Sequence, residues 1–268
     1  MTEQRVTEQQ VTEQAGVSRE GEAGLGMYPF PQLRAAYDAY WHAIRRRVPW
    51  LPADLTWHAD VHSSWRSPDL VVGYTCGWPL VTQLADQVQV VGTFEFAIPE
   101  AVAHRYRSVI LARNDAPLAS FAGAMAAVNG PDSLSGWVSL VTAVHGTGGA
   151  WTGEVRWTGA HLESVRAVKS GLAQLASIDS VSWAHISRLE PELVDGLVLV
   201  GNGPEVPCLP VIATRHLTPD AIDELRAAMA ASLAEPAMAA HRNAMLIRSF
   251  VPLDLADYLP LLELAPGV

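Results

Sequence analysis

The stretch Met125-Ala126-Ala127-Val128-Asn129-Gly130-Pro131-Asp132-Ser133-Leu134-Ser135-Gly136 decides how the chain is read. Four apolar residues run into a turn of Asn, Gly, Pro and Asp, and a periodic apolar segment continues to about Val144. That is the pattern of a strand, a tight loop and a helix, with the helix expected over about Gly136 to Val144. In an open α/β sheet such a junction lies at the carboxyl end of a strand, where ligands bind. The unpaired amides of a helix's first turn and its positive dipole end favour an anion there. Ser133 and Ser135 add hydroxyl donors, and Asn129 and Gly136 flank them. A purely structural reading competes, in which one serine simply caps the helix. Capping requires one such residue, and this loop supplies two. No Gly-Lys-Ser/Thr follows, so the turn is not a nucleotide P-loop.

Helical and extended patterns alternate outward from this turn. Downstream, strands are expected at Glu154–Trp157, Leu175–Asp179, Leu197–Val200 and Val211–Thr214. Helices are expected at His161–Ser170, Val181–Arg188 and Pro219–Leu233, the last with Thr218 as N-cap and Pro219 at its first position. Upstream, a short strand is expected at Leu25–Pro29, and strands at Asp69–Tyr74 and Val88–Phe94. Leu33, Tyr37, Trp41, Ile44 and Val48 recur at helical spacing until Pro49 and Pro52 stop the helix. This alternation predicts an α/β architecture with mixed, mostly parallel sheets flanked by helices. Two extended runs, near Tyr106 and across Pro204–Pro210, bracket the middle of the chain. They predict two lobes: residues 24–105 plus 207–268 form a discontinuous first lobe, and 106–206 the second. Residues 1–23, polar and with Thr-Glu-Gln recurring three times, are expected to be a disordered tail.

Composition narrows the function classes. Hydrophobic residues make up 49% and charged residues 17%, and the net charge is −10 with 18 Lys+Arg. Phosphate backbones require a basic stripe, so nucleic acid is not an expected partner. The densest basic run, Arg45-Arg46-Arg47, closes a helix, where the dipole favours cations. No apolar run approaches the ~20 residues of a membrane span. No apolar export segment follows the N-terminus, which predicts a cytoplasmic location for the sequence as written, or a periplasmic one if the start is truncated. Cys76 and Cys208 form no CxxC pair. His58, His62, His104, His145, His161 and His185 are scattered, with no HExxH and no Cys/His cluster, so neither a metal nor another cofactor is expected.

Two further strand ends could touch a ligand. In Tyr74-Thr75-Cys76-Gly77-Trp78, the Thr75 hydroxyl and the backbone of Cys76 and Gly77 can donate to an oxygen, and the Cys76 thiol is either a nucleophile or a small buried side chain. At Ile178-Asp179-Ser180, the Asp179 carboxylate either takes a cationic or hydroxyl group of a ligand or caps the next helix. Tyr28 and Tyr106 can each wall a ligand or be ordinary half-buried tyrosines.

Four segments taken in order, Asp69–Val81 (DLVVGYTCGWPLV), Tyr106–Arg113 (YRSVILAR), Ala126–Gly136 (AAVNGPDSLSG) and Leu175–Trp183 (LASIDSVSW), resemble the phosphate/phosphonate transporter substrate-binding family. The resemblance covers about residues 24 to 235. It implies a type II periplasmic-binding-protein (clamshell) fold that closes on a small anionic ligand without catalysis, with an ABC permease as partner. By position it implies that Ser133, Ser135 and Gly136 hold a phosphonate or phosphate group and that Asp179 takes an amine. It makes Tyr28 the first-lobe aromatic and Tyr106 the hinge tyrosine. Where the family pattern reads Ser-Thr-Ser, this chain has Ser133-Leu134-Ser135, with one hydroxyl fewer. Similar folds also host enzymes of menaquinone and thiamine-precursor biosynthesis, with Asp179 or Cys76 as the reactive group, and ligand-sensing modules.

Overall fold

The computed structural model describes residues 21–264. In chain order its strands are β1 (Glu22–Ala23), β2 (Leu70–Tyr74), β3 (Val88–Phe96), β4 (Ala101–Val102), β5 (Arg105–Ala112), β6 (Ala126–Val128), β7 (Val155–Trp157), β8 (Leu175–Ile178), β9 (Val198–Pro207), β10 (Pro210–Thr214) and β11 (Ile247–Val251). The main helices are α1 (Arg34–Arg45), α2 (Ser139–His145), α3 (His161–Ser170), α4 (Ser180–Leu189) and α5 (Pro219–Ala234). Among the described residues no helix is long and apolar enough to cross a membrane.

Two compact units divide the chain. The first comprises the described residues up to Cys76, with Leu80–Ala97 and Cys208–Tyr258; the second comprises Gly77–Pro79, Ile98–Pro207 and the described residues from Leu259. The chain passes to the second unit after residue 97, eight residues ahead of the boundary drawn from sequence at 105/106, because the β4–β5 hairpin belongs to the second sheet.

The first unit holds a five-stranded sheet in the order β1-β2-β10-β3-β11. α1 lies against α5 through a stripe of buried Ala36, Tyr37, Tyr40, Trp41 and Ile44, and the Tyr40 hydroxyl donates to Met229 O at 3.0 Å. The arginines closing α1 work as expected of a helix end, with Arg46 and Arg47 both on Glu235. A bulge in β3 leaves Val91 out of register with β10. Arg226 of α5 answers it, donating to Val91 O at 2.9 Å and Val90 O at 3.2 Å while pairing with Asp254 at 2.6 Å. A half-buried guanidinium thus satisfies the carbonyl of the residue that the bulge takes out of register.

The second unit's sheet runs β4-β5-β8-β6-β7, with β9 along the other side of β5. β8, β6 and β7 are mutually parallel, joined by helical crossovers. α2 covers a core of Ile110, Phe121, Val128, Leu140, Val144 and Leu175.

Three expectations change. The sheets are mixed, but the parallel majority does not hold: β10 runs antiparallel to β2 and β3, β11 to β3, and β5 to β4, β8 and β9. A strand that re-enters a unit after an excursion needs no crossover helix and is free to pair antiparallel. The Pro-rich crossing Pro204–Pro210 is itself strand, since β9 runs to Pro207 and β10 starts at Pro210. β9 is an edge with register shifts, where proline's missing N–H costs no ladder bond. Leu25–Pro29 is not a strand; the edge is Glu22–Ala23, inside the expected tail, where Glu22 N reaches Asp69 O and Gly24 N reaches Val72 O. Residues 1–20 of that tail lie outside the described residues.

Candidate functional site

The carboxyl ends of three parallel strands meet on one edge of the second unit. Val128 pairs with Trp157, and Ala127 with Ala176, so the segments leaving β6, β7 and β8 emerge side by side. The helix after β6 starts at Leu134, two residues before the expected position, with a π-wound first turn (Leu134–Val138) that runs straight into α2. Ser133 is its N-cap: Gly136 N donates to Ser133 Oγ at 2.9 Å. The hydroxyl proton of Ser133 is not used in that bond and remains available as a donor.

Ser135, two residues on within the first turn, is buried and its Oγ lies 2.9 Å from His161 Nε2 at the first position of α3. Ser177 of β8 donates to Ser135 O at 2.6 Å, which ties the helix start to the strand beside β6. Thr158, leaving β7, donates through its amide to Val128 O at 2.9 Å. Burial lowers the His161 pKa to about 3, so the ring is neutral at pH 7. Its Nδ1 is enclosed and has no hydrogen-bond partner among the described residues. The tautomer with the proton on Nε2 leaves Nδ1 as a bare acceptor, which costs less than burying an unpaired N–H. In that tautomer His161 donates to Ser135 Oγ, and the Ser135 proton points elsewhere.

Asn129 folds its carboxamide over the helix start. Its Oδ1 is buried and has no hydrogen-bond partner among the described residues. A Cβ placed on Gly136 would collide with that oxygen and lie 3.1 Å from Ser133 Oγ and 3.2 Å from Val128 Cγ1. Glycine at 136 is therefore what lets the Asn129 carboxamide pack directly onto the first turn beside Ser133.

At the end of β8, Asp179 caps α4, accepting from Ser182 N at 2.8 Å, and the Tyr106 hydroxyl also hydrogen-bonds its carboxylate. Burial raises its pKa, and the bonds from Ser182, Tyr106 and Val181 oppose that rise. Tyr106 sits on β5, which runs antiparallel beside β8, so the tyrosine and the acid share the same sheet edge. Among the described residues the buried hydroxyls of Ser139 and Ser180 have no partner either.

The second unit thus gathers Tyr106, Asn129, Ser133, Ser135, Gly136 and Asp179 on one edge. The first unit holds Tyr28, Thr75 and Cys76. Tyr28 is buried, edge-to-face with Tyr74 and Phe96 at 6.0 and 5.8 Å between ring centres, so its ring is part of the aromatic core. Thr75 is buried; its amide donates to Pro210 O at 3.0 Å and its hydroxyl to Cys76 O at 3.4 Å. Cys76 and Cys208 are buried thiols. Gly77 opens a short helical turn, Gly77–Pro79, that packs with Leu259–Glu263 in the second unit. Among the described residues no three His, Cys, Asp or Glu side chains are placed to hold a metal ion.

A family model described as "ABC transporter, phosphonate, periplasmic substrate-binding protein" matches residues 59–258. The chain belongs to this family. No curated protein matches the sequence. Among solved structures, PhnD1 from Prochlorococcus marinus in complex with methylphosphonate superposes with a TM-score of 0.76 at 11% identity, over 92% of this chain and 97% of that one. A binding protein component of an ABC phosphonate transporter from Pseudomonas aeruginosa gives 0.72 at 14%, over 87% and 80%. The periplasmic aliphatic sulphonate binding protein SsuA from Escherichia coli gives 0.54 at 14%, over 82% and 81%.

At these identities the likeness establishes the two-lobed periplasmic-binding-protein fold. Membership in the phosphonate substrate-binding family carries a small-molecule ligand and a permease partner. The family's description is periplasmic, and the cytoplasmic expectation finds no support; it rested on the first 24 residues, of which 1–20 lie outside the described ones.

His161 is the residue of this site that sequence reading passed over, counted among scattered histidines. The signal was present. It opens the helix after β7, and β7 ends on the same edge as β6 and β8.

Proposed function

We propose that this member of the phosphonate substrate-binding family is a non-catalytic carrier of a small anionic metabolite, with its oxyanion held at the start of the Leu134–His145 helix. Ser133 and Ser135 supply hydroxyl protons, the helix start adds its dipole and amides, and Asp179 faces the ligand's donor groups. The observation that carries this reading is a set of unfinished hydrogen bonds. Ser133 keeps its proton after its structural bond, Ser135 keeps its own when His161 donates to it, and among the described residues Asn129 Oδ1 and His161 Nδ1 are buried without partners. Native folds satisfy more than 90% of buried polar groups, so several left open near one another support a binding site at this helix start.

Methylphosphonate, inorganic phosphate and acetate, each titrated calorimetrically, test this. An anion present at 100 times its Kd stabilises the fold by about 2.7 kcal/mol, so a thermal shift accompanies binding. Ser133→Ala combined with Ser135→Ala is expected to abolish binding while the protein remains folded. Unchanged affinity in that double variant refutes the site, and slow consumption of the bound ligand by wild type refutes the non-catalytic reading.

A further inference from the structure

Chain crossings govern how two units can move, because each is a covalent tie that any movement must bend about. Two of them follow the strands of the sheets: the chain leaves the first unit after Ala97, beyond β3, and returns where β9 passes into β10 across Pro207 and Cys208. A further crossing is made of two short helical turns, Leu255–Tyr258 in the first unit and Leu259–Glu263 in the second.

Both turns are anchored, each within its own unit. On the first-unit side Tyr258 is wholly buried, and its hydroxyl donates to Cys208 O at 2.9 Å. Cys208 opens the segment that leads into β10, and that segment is itself held. Thr93 Oγ donates to Leu209 O at 2.7 Å, and Thr75 N to Pro210 O at 3.0 Å. Tyr258 therefore starts its crossing from a fixed point beside the β9–β10 junction. On the second-unit side Leu261 is buried, the turn packs with Gly77–Pro79, and Thr142 Oγ donates to Leu264 O at 2.6 Å. Thr142 lies on α2, so the far end is fixed to the helix whose start carries Ser133 and Ser135.

The slack between these anchors is small. Tyr258 and Leu264 are six residues apart. At the ~2.0 Å rise of a 3-10 turn they span about 12 Å, and fully extended about 20 Å. Unwinding the turn thus releases about 8 Å and unseats Leu261; any wider movement must break the bond from Thr142. The hold is also weak enough to release, because Leu259 and Leu262 are exposed and Leu261 alone of the three seats the turn. We propose that Leu255–Leu264 is a brace across this crossing, and that the units separate far enough to exchange a ligand only when its Leu264 end lets go of α2.

The test uses the full chain carrying spin labels on Asp86→Cys in the first unit and Glu192→Cys in the second, both exposed positions; Cys76 and Cys208 are buried, which keeps them out of the labelling. Thr142→Val removes the bond and keeps the shape, and Thr142→Ser keeps the hydroxyl. Pulsed electron–electron resonance is expected to give label separations in Thr142→Val that reach beyond those of the parent, with Thr142→Ser like the parent. Amide hydrogen exchange of residues 259–264 speeds up in Thr142→Val by about threefold to tenfold, the size of one hydrogen bond. Release of methylphosphonate, followed by stopped-flow tryptophan fluorescence, accelerates by about the same factor; this arm alone rests on the anion-carrier reading. Faster exchange with unchanged label separations overturns the brace, since the segment then comes free without freeing the units. Unchanged exchange overturns it too, because Thr142 would not be what holds the segment, and so does unchanged release of methylphosphonate that binds. Should methylphosphonate not bind at all, the carrier reading falls and the label separations still decide the brace.

Discussion

Acid should loosen this protein through His161, and the size of the effect follows from its surroundings. The imidazole is neutral in the fold because burial holds its pKa at about 3, against 6.5 for an exposed histidine. A base whose pKa is depressed by folding binds its proton more readily in the unfolded chain. Stability is therefore intact above pH 6.5 and is lost as the pH falls from there toward 3. At pH 4.5, two units below the unfolded value, the unfolded chain gains about 2.7 kcal/mol at most. The ring is only half-buried, and solvent screening at its open edge brings the expected loss to about half that. Urea denaturation of wild type and His161→Gln at pH 7.5 and 4.5 measures it. Glutamine preserves a donor for Ser135 and carries no titrating group, so the difference between the two pH profiles belongs to the histidine. Acid sensitivity should fall by about 1–1.5 kcal/mol in the variant. Saturating methylphosphonate should shrink the wild-type acid loss as well, because an anion beside Ser135 favours the imidazolium. Superimposable pH profiles for the two proteins would refute the assignment of a ring held neutral by its surroundings.

Two other perturbations separate structural from functional groups on the same edge. Asp179 has a raised pKa, so its contribution is greatest at low pH and declines as the pH rises through its folded value. Asp179→Asn, which still accepts from Ser182 N, should therefore be as stable as wild type or more so at pH 7, whereas Asp179→Ala should lose about 1 kcal/mol with the cap; denaturant midpoints read both. Gly203 of β9 leaves no room for a side chain: a Cβ there would collide with Ser139 Oγ and lie 3.1 Å from Ser139 Cβ and 3.3 Å from Ser108 Cβ. Gly203→Ala should cost about 1–3 kcal/mol, and adding Ser139→Ala should restore part of it, a coupling that a double-mutant cycle measures directly.

What the sequence could and could not disclose follows from the range of the forces involved. Elements written in local periodicity were legible. The apolar stripe of α1, the Thr218-Pro219 start of α5 and the strand–turn–helix at Val128–Gly136 all lie within a few residues of where they were expected. Strand direction was not legible, because pairing depends on partners distant in the chain: β10 joins β2 and β3 across more than a hundred residues. Tyr28 shows the same limit at the level of one side chain. A lone tyrosine after a short apolar run carries no mark of whether Tyr74 and Phe96 will enclose it. Ser135 and His161 stand 26 residues apart and meet only because β6 and β7 are parallel neighbours, so their pairing follows from topology and not from spacing.

Sequence reading set capping against binding at Ser133, as though one excluded the other. The hydrogen-bond geometry removes that opposition. A serine hydroxyl has two lone pairs and one proton, and the cap at Gly136 N takes a lone pair only. Accepting from the helix amide also polarises the O–H and strengthens it as a donor. Ser135 stands in the same position: if His161 donates to it, its proton is released for another acceptor. Both serines are thus held in place by bonds that consume acceptors and leave donors.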